Sequence, residues 1–258
     1  MKQKLCYISG LPRTGSTLLS SILMQNPSVH SEGRSALCQM MWDMQCSING
    51  PSQDALKASR RLEKTSMDIM AEFPALYYKS VSKDIIFDKC RTWTLYENHQ
   101  IIKRYINESP KVIVLVRPVD EIVRSFAKLR LDNGWVGDVY TDLLLPNTDP
   151  LTLPLEGIEY AKYIRDEGFL FVTYKSFVEN TAMVLEQIYN HCEIDFFSHD
   201  FDEIKRAFVE DDEVYGLIGM HDVRQEISFG ANDVVLPQNI QQISKEMTAA
   251  LYDGLNAI

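Results

Sequence analysis

The sequence has few cysteines and no long apolar run. Its 258 residues include five cysteines (Cys6, Cys38, Cys46, Cys90 and Cys192), which are scattered and never spaced as C-x-x-C. An odd, dispersed set argues against a disulfide framework and against a zinc site. The apolar stretch near the N-terminus is too short for a signal peptide, and no run reaches the length of a membrane span. We therefore expect a soluble, cytoplasmic protein with reduced thiols.

The sequence is also poor in basic residues. It carries 26 Lys and Arg against 36 Asp and Glu, for a formal net charge of -10, and no Lys/Arg run stands out. Binding to a nucleic-acid backbone needs a basic surface, so this composition argues against such a partner and against a strongly anionic polymer. Hydrophobic residues at 45% and charged residues at 24% are ordinary for a globular protein.

Regular alternation of strand and helix patterns predicts the fold class. Apolar runs predict strands at 5–8, 84–88, 111–116 and 169–173. Helical spacing covers 18–24, 36–45, 52–73, 92–106, 119–131, 155–167 and 177–190. This order predicts an α/β fold in which helices flank a central parallel sheet, with 111–116 as a strand buried on both faces. We expect one domain over 1–258, with 132–154 as an excursion across the active-site face and helix and loop after residue 200.

The segment 9–18, Ser-Gly-Leu-Pro-Arg-Thr-Gly-Ser-Thr-Leu, is the most informative stretch. It follows the apolar run 5–8, a predicted strand, and leads into the helix at 18–24. A glycine-bounded turn between a strand and a helix N-terminus directs backbone N–H groups and the positive end of the helix dipole at one point. This layout is typical of a site for phosphate-like anions.

The segment differs from the ATP/GTP loop G-x-x-x-x-G-K-[ST] at one position. Gly10 and Gly15 have the required spacing, and Thr17 stands where a hydroxyl normally ligates Mg²⁺. Ser16 replaces the lysine, and a cation appears inside the loop as Arg13. Without the lysine that holds the β- and γ-phosphates, the loop is better suited to a smaller terminal group, such as a sulfate on a 5′-phosphate.

A second anion site is predicted at the end of the strand 111–116. Arg117 follows that strand, at the sheet edge where open parallel sheets bind ligands. A Mg²⁺-dependent hydrolase often has an aspartate there, so an arginine indicates an anion. Ser125 lies about two helical turns further on and faces back. The alternatives are an ion pair of Arg117 with Asp120 or Glu121, and an exposed serine.

Together these residues resemble the sulfotransferases that use 3′-phosphoadenosine 5′-phosphosulfate (PAPS). The string Pro12 to Leu18 resembles that family's Pro-Arg-Ser-Gly-Thr-Thr-Leu, and the Arg117–Ser125 pair resembles its motif for the 3′-phosphate. The resemblance implies a P-loop nucleotide-kinase-like fold. It also implies that Arg13, Thr14, Gly15, Ser16 and Thr17 bind the 5′ end of the nucleotide, with adenosine 3′,5′-bisphosphate (PAP) as the product.

Three further strings resemble parts of the same family. The segment 172–177 resembles the strand that ends in Tyr-Glu-Asp-Leu, although Lys175 and Ser176 replace the acidic pair, so only Tyr174 is carried over. The segment 87–93 resembles the Asp-Lys-x-Arg-x-Trp string of a bacterial branch, which implies that Lys89 lies near the transferring sulfuryl group. The segment 219–224 resembles that branch's Gly-Leu-His-x-Val-Arg, which implies that His221 and Arg224 close over the nucleotide.

The resulting hypothesis is transfer of a sulfuryl group to a hydroxyl or amine of a small-molecule, glycan or peptide acceptor. Arg13 and Lys89 would stabilise developing charge, and no metal is required. Glu32 is favoured over His30 as general base, although each is also compatible with a solvated loop residue. The alternatives are a P-loop kinase of a small metabolite, which would need Mg²⁺ and the missing lysine, and a non-catalytic nucleotide-binding module.

Overall fold

The computed structural model describes residues 3–164, 168–224, 226–230 and 232–258. Within these residues five strands form a single sheet. The strands are β1 (Lys4–Gly10), β2 (Val29–His30), β3 (Ile85–Lys89), β4 (Val112–Val116) and β5 (Phe169–Thr173). The helices are α1 (Ser16–Leu23), α2 (Leu37–Asn49), α3 (Gln53–Ala58), α4 (Leu62–Tyr77), α5 (Tyr96–Tyr105), α6 (Val119–Asp132), α7 (Thr152–Ile164), α8 (Tyr174–Glu179), α9 (Thr181–His191) and α10 (Gln238–Tyr252).

All neighbouring strands are parallel, and the order is β2-β3-β1-β4-β5. β1 is central, because it pairs with β3 on one side and with β4 on the other. The chain order therefore reverses direction at β1, which is the position where open α/β sheets bind ligands. The predicted α/β fold with a parallel sheet flanked by helices is confirmed.

Side chains alternate between two apolar layers, as the pleat of a strand requires. In β4, Val112, Val114 and Val116 pack on one face and Ile113 and Leu115 on the other. The first face is covered mainly by α2, α4, α5, α6, α7 and α10, and the second by α1, α8 and α9. This burial on both faces explains the unbroken apolar run. None of the described helices is both long enough and apolar enough to cross a membrane.

Two predicted helices are interrupted in the structure. The helix expected at 52–73 is divided into α3 and α4, because Arg60 between them has a left-handed backbone with φ 57°. Pro74 was expected to end this helix and instead lies inside α4, buried in the core, so its packing outweighs one lost backbone hydrogen bond. The helix expected at 177–190 is divided into α8 and α9 by Asn180, whose backbone (φ −135°, ψ 45°) is not helical.

Two edges of the sheet were not anticipated. In the segment after α1, for which the sequence predicted no strand, Val29 and His30 form the short strand β2 beside β3. At the other edge, Ile258 exchanges backbone hydrogen bonds with Phe171 and Thr173 of β5 (3.0 and 2.8 Å), and so covers part of that edge. The last residues of the helix expected at 155–167 lie outside the described residues; α7 itself covers Thr152–Ile164.

The backbone of Gly10 approaches that of β4 so closely that it excludes a side chain. A Cβ atom there would overlap the carbonyl oxygen and the amide nitrogen of Leu115, and φ is +113°. We predict that Gly10→Ala lowers the free energy of unfolding by roughly 2–4 kcal/mol, combining backbone strain with overpacking. Denaturant unfolding measures this change.

The matched control is Gly134→Ala. Gly134 also has positive φ (+77°), but a Cβ atom there would meet no atom of the described part of the chain within 4 Å. This variant therefore measures the cost of the positive φ alone, and its free energy of unfolding should fall by only about 1 kcal/mol. Equal losses for the two variants would contradict the role of steric exclusion at Gly10.

Candidate functional site

The carboxyl ends of four parallel strands bring the candidate residues to one edge of the sheet. Gly10 and Lys89 are the last residues of β1 and β3. Arg117 directly follows β4, and Tyr174 directly follows β5. Because all four strands run in the same direction, residues that are far apart in sequence meet here.

The loop between β1 and α1 has the backbone of an anion cradle. Gly15 precedes α1 in a left-handed conformation, with φ +80°, and Arg13 is also left-handed with φ 59°. Ser16 and Thr17, both half-buried, are the first two residues of the helix. Thr14 is fully buried and its hydroxyl donates to the carbonyl of Leu11 at 2.7 Å, so this side chain shapes the loop from within.

Arg13 lies where the two predicted anion subsites meet. Its Nε donates to Oγ of Ser125 at 3.0 Å, and its Nη1 donates to the carbonyl of Met220. Burial lowers the pKa of Arg13, and the nearby guanidinium groups of Arg117 and Arg224 lower it further. Three cationic groups thus lie close enough to repel one another, and an anion placed between them would relieve that repulsion.

Arg117 supports the loop from the end of β4. Its Nη1 donates to the carbonyl of Arg13 at 2.8 Å, and its guanidinium lies 4.2 Å from the centre of the Tyr174 ring. Its Nε also pairs with Glu121 at 2.9 Å, which is the ion pair considered from the sequence. Arg117 therefore makes this pair and contacts the loop as well. Its hold on the Arg13 carbonyl helps to keep Arg13 in its uncommon backbone conformation.

Lys89 is positioned by its buried neighbour Asp88. Asp88 accepts hydrogen bonds at 2.6 Å from the hydroxyl of Tyr78 and from Nε1 of Trp93, which explains the spacing of the 87–93 string. Burial raises the pKa of Asp88. Lys89 is itself buried, and burial lowers its pKa from 10.5 to about 8, while the nearby carboxylate of Glu210 offsets part of this change.

A cavity of about 40 Å³ joins Lys89 to the loop. Its lining residues come from the end of β1 and the loop, the start of α1, the end of β3, the segment after β2, and the segment after residue 200. They are Ile8, Ser9, Gly10, Leu11, Ser16, Arg34, Lys89, Cys90, Arg91 and His221. The structure thus brings Ser16, Lys89 and His221 to one cavity, although they were identified from three separate strings.

His221 is fixed by a carboxylate that sequence reasoning missed. Its Nδ1 lies 2.6 Å from Oδ1 of Asp212, and its backbone N–H donates to Oδ2 of the same residue at 3.2 Å. Burial lowers the pKa of His221, and Asp212 and Glu210 partly offset that effect. Arg224, three residues on, is exposed, and its Nη1 lies 3.4 Å from the carbonyl of Ser228.

The two candidate bases pair with each other. Oε1 of Glu32 lies 3.4 Å from Nε2 of His30, and the Glu32 side chain is 51% exposed. The nearby imidazole of His30 lowers the pKa of the Glu32 carboxyl. His30 belongs to β2 and packs edge-on against the ring of Tyr78. Neither residue lines the cavity beside Lys89.

Glu210 and Asp149 were also missed by the sequence analysis. Glu210 lies 3.9 Å from the Lys89 ammonium, and Asp149 bridges Arg34 (3.1 Å) and Arg91 (2.8 Å) at the rim of the cavity. Both residues belong to acidic or proline-rich loop segments without a motif, so no local signal marked them. Within the described residues, no cluster of His, Cys, Asp or Glu could hold a metal ion.

A comparison with models of protein families identifies one family. The profile described as "Sulfotransferase family" matches residues 6–198. The solved sulfotransferase domain from the curacin biosynthetic pathway is 15% identical, with a TM-score of 0.52 over 96% of this chain and 98% of that one. A sulfotransferase from Alicyclobacillus acidocaldarius is 11% identical, with a TM-score of 0.56 over 98% and 94%. A search of curated sequences gave no match. The structural likenesses show the fold.

The lowered pKa of Lys89 has a measurable consequence for stability. As pH rises, the folded state loses the Lys89 proton near pH 8, whereas the unfolded state keeps it to about pH 10.5. In this interval the unfolded state binds more protons, so the free energy of unfolding rises with pH. Lys89→Met lacks this contribution. We predict that the difference in unfolding free energy, wild type minus Lys89→Met, grows by roughly 3 kcal/mol across the interval.

Denaturant unfolding at a series of pH values measures this difference. Lys205→Met, which replaces an exposed lysine, is the control and should differ from wild type by an amount that does not change with pH. A pH-independent difference for Lys89→Met would show that the Lys89 ammonium is not desolvated in the folded protein.

Proposed function

The chain belongs to the sulfotransferase family, and from this we propose that it transfers a sulfuryl group from PAPS to a hydroxyl or amine of an acceptor. The observation that carries the proposal is the contact between the two anion subsites. Arg13, in the loop after β1, donates to Ser125 on α6, and Arg117 donates back to the carbonyl of Arg13. A ligand with a negative group at each end of a ribose fits such a double site.

The residues present are suited to the donor nucleotide. The loop N–H groups of Gly15, Ser16 and Thr17 and the N-terminus of α1 would hold the 5′-phosphosulfate. Arg117 and Ser125 would hold the 3′-phosphate, with Arg13 between the two subsites. Tyr174 would lie beside the nucleotide, because its ring contacts both Arg117 and the position of Gly15. His221 and Arg224 would close the site from the C-terminal segment, and Thr14 would keep the loop in shape.

Catalysis in this proposal is electrostatic. In sulfuryl transfer negative charge builds on the leaving phosphate oxygen, as in the loose transition states of phosphoryl transfer. Lys89 lies in the cavity next to the loop and would donate to the bridging oxygen or to a sulfuryl oxygen as that charge develops. Because Lys89 is buried, its charge is little screened by water. No lysine from the loop itself is needed, since Lys89 supplies the cation from β3.

The whole chain would act as one domain, in the cytoplasm. The family match ends at residue 198, but Met220 accepts a hydrogen bond from Arg13 and His221 lines the cavity. We therefore assign the site to residues 1–258 together. The acceptor would be a small molecule, glycan or peptide, and its proton would pass to a general base; Glu32 and His30 remain the candidates from the sequence.

Isothermal titration calorimetry tests the donor site. We predict that the purified protein binds PAP in the absence of metal, and that it binds ATP with Mg²⁺ at least tenfold more weakly, because the loop lacks the lysine that holds the β- and γ-phosphates. Preferential binding of ATP with Mg²⁺ would favour a kinase and contradict the proposal.

The 3′-phosphate subsite is tested by Arg117→Ala. Charge-assisted hydrogen bonds contribute about 1.5–3 kcal/mol, so we predict a roughly 10- to 150-fold loss of PAP affinity. Affinity for AMP, which has no 3′-phosphate, should fall much less than affinity for PAP. The loop N–H groups still hold the 5′ end, and the loop loses only the donor to the Arg13 carbonyl. Lys128→Ala, which removes an exposed pair with Asp132, is the matched control. Equal affinity of the wild-type protein for PAPS and adenosine 5′-phosphosulfate would contradict the assignment.

A further inference from the structure

We infer that Glu210 is a further catalytic residue, the carboxylate that accepts the proton of the acceptor hydroxyl or amine. The inference rests on the proposed function and deepens it. Glu210 lies 121 residues after Lys89 in the chain, yet its carboxylate contacts Arg34, Lys89 and His221, all of which line the cavity beside the anion loop.

The two oxygens of Glu210 have different surroundings. Oε1 accepts the backbone N–H of Arg34 at 3.0 Å and lies 3.6 Å from Nε2 of His221. Oε2 is buried, lies 3.9 Å from the Lys89 ammonium, and has no hydrogen-bond partner among the residues that the structure describes. One oxygen therefore anchors the carboxylate, and the other faces the reactive lysine with its hydrogen-bonding capacity unused.

The neighbouring backbone makes room for this carboxylate. A Cβ atom on Gly33 would overlap the carboxyl carbon of Glu210, so a larger residue at this position would displace the carboxylate from its present place beside the Arg34 amide. The Glu210 side chain is 13% exposed. A buried carboxylate oxygen without a donor is unfavourable, since it has lost water and gained no hydrogen bond. Glu210 contacts residues that line the cavity but does not line it itself. An acceptor hydroxyl or amine would therefore supply the missing donor by entering from the cavity beside Lys89 and reaching the covered oxygen.

The proposed step balances with groups already in the site. The acceptor O–H (or N–H) bond breaks and its proton passes to Oε2 of Glu210. The electron pair left on the acceptor atom forms the new bond to sulfur. The bond between sulfur and the leaving phosphate oxygen breaks, and that oxygen keeps its electron pair next to Lys89 and the loop N–H groups. Glu210 then returns the proton to solvent.

Glu210 is better placed for this role than the other bases near the site. Glu32 is half-exposed and already pairs with His30. His221 has Nδ1 and its backbone N–H directed at Asp212, and its Nε2 faces Oε1 of Glu210 rather than an open position. Of these groups, only Oε2 of Glu210 combines an unused acceptor position with proximity to Lys89.

The test measures the rate at which PAP is released from PAPS at pH 8, for Glu210→Gln and for wild type, with each of two phenols as the sulfuryl acceptor. General-base catalysis contributes roughly 10²- to 10⁴-fold, so we predict a loss of that size with 2-naphthol, a phenol that is protonated at this pH. With 4-nitrophenol, which is largely ionised at this pH and needs no base, the loss should be less than about tenfold. If the wild-type protein sulfates neither phenol, the two proteins are compared instead by the rate at which they hydrolyse PAPS to PAP. Water must also lose a proton when it attacks, so Glu210→Gln should again be slower.

The control variant is Glu203→Gln, on an exposed glutamate of the same segment, which should keep the wild-type rates. Calorimetry with PAP supplies a second measurement that needs no acceptor: Glu210→Gln should bind PAP within about threefold of wild type, since the assigned base contacts the acceptor and not the nucleotide.

Four outcomes would overturn the assignment. The first two are wild-type rates for Glu210→Gln and equal rate losses for this variant with both phenols. The third is a large rate loss for Glu32→Gln with none for Glu210→Gln. The fourth is a tenfold or greater gain in the PAP affinity of Glu210→Gln, which would show that Glu210 merely blocks the anion site. Failure of the wild-type protein to bind PAP would contradict the proposed function itself. Binding of PAP together with an active Glu210→Gln would contradict only the role of Glu210.

Discussion

The contact between the backbones of Gly10 and Leu115 is the constraint on which the arrangement of the site depends. No side chain fits between these two residues, so β1 and β4 can approach closely at their carboxyl ends. The loop after β1 therefore leaves the sheet directly beside Arg117, which follows β4 and reaches the carbonyl of Arg13. With β3 on the other side of β1, Lys89 comes to the same edge. The geometry of all three cations follows from strand pairing.

The charged side chains at the site are only partly compensated by the rest of the protein. Asp88 and Lys89 are removed from water and Arg13 is partly removed, which is unfavourable for each unless a partner compensates. Asp88 has two strong hydrogen-bond donors in Tyr78 and Trp93, whereas Lys89 has a carboxylate at 3.9 Å and no closer anion among the described residues. The cations are thus only partly compensated within the chain. Their remaining charge is available to a ligand, and the two apolar layers on the sheet stabilise the fold that holds them in place.

Sequence reasoning succeeded where a feature depends on neighbouring residues. The apolar runs of β1, β4 and β5, the glycine spacing of the loop, and the family of the chain could all be recognised from short strings. The same reasoning failed where helical spacing in the sequence continued past a residue at which the helix itself ends. Residues 52–73 keep helical spacing through Arg60, and 177–190 keep it through Asn180. Both helices are nevertheless interrupted, because Arg60 has a left-handed backbone and the backbone of Asn180 is not helical.

The amino-acid sequence by itself determined the four longer strands, the turn whose glycine spacing suits an anion, and the charged residues that stand at strand ends, because hydrophobic periodicity and loop chemistry are local properties. Tertiary structure decided that Arg13 touches Ser125, that Asp212 orients His221, and that Glu210 reaches Lys89. Glu210 accepts a hydrogen bond from the amide of Arg34, which is 176 residues away in the sequence. The acidic run around it has no periodicity, so only the packing of the segment after residue 198 against the strand ends brings these groups together.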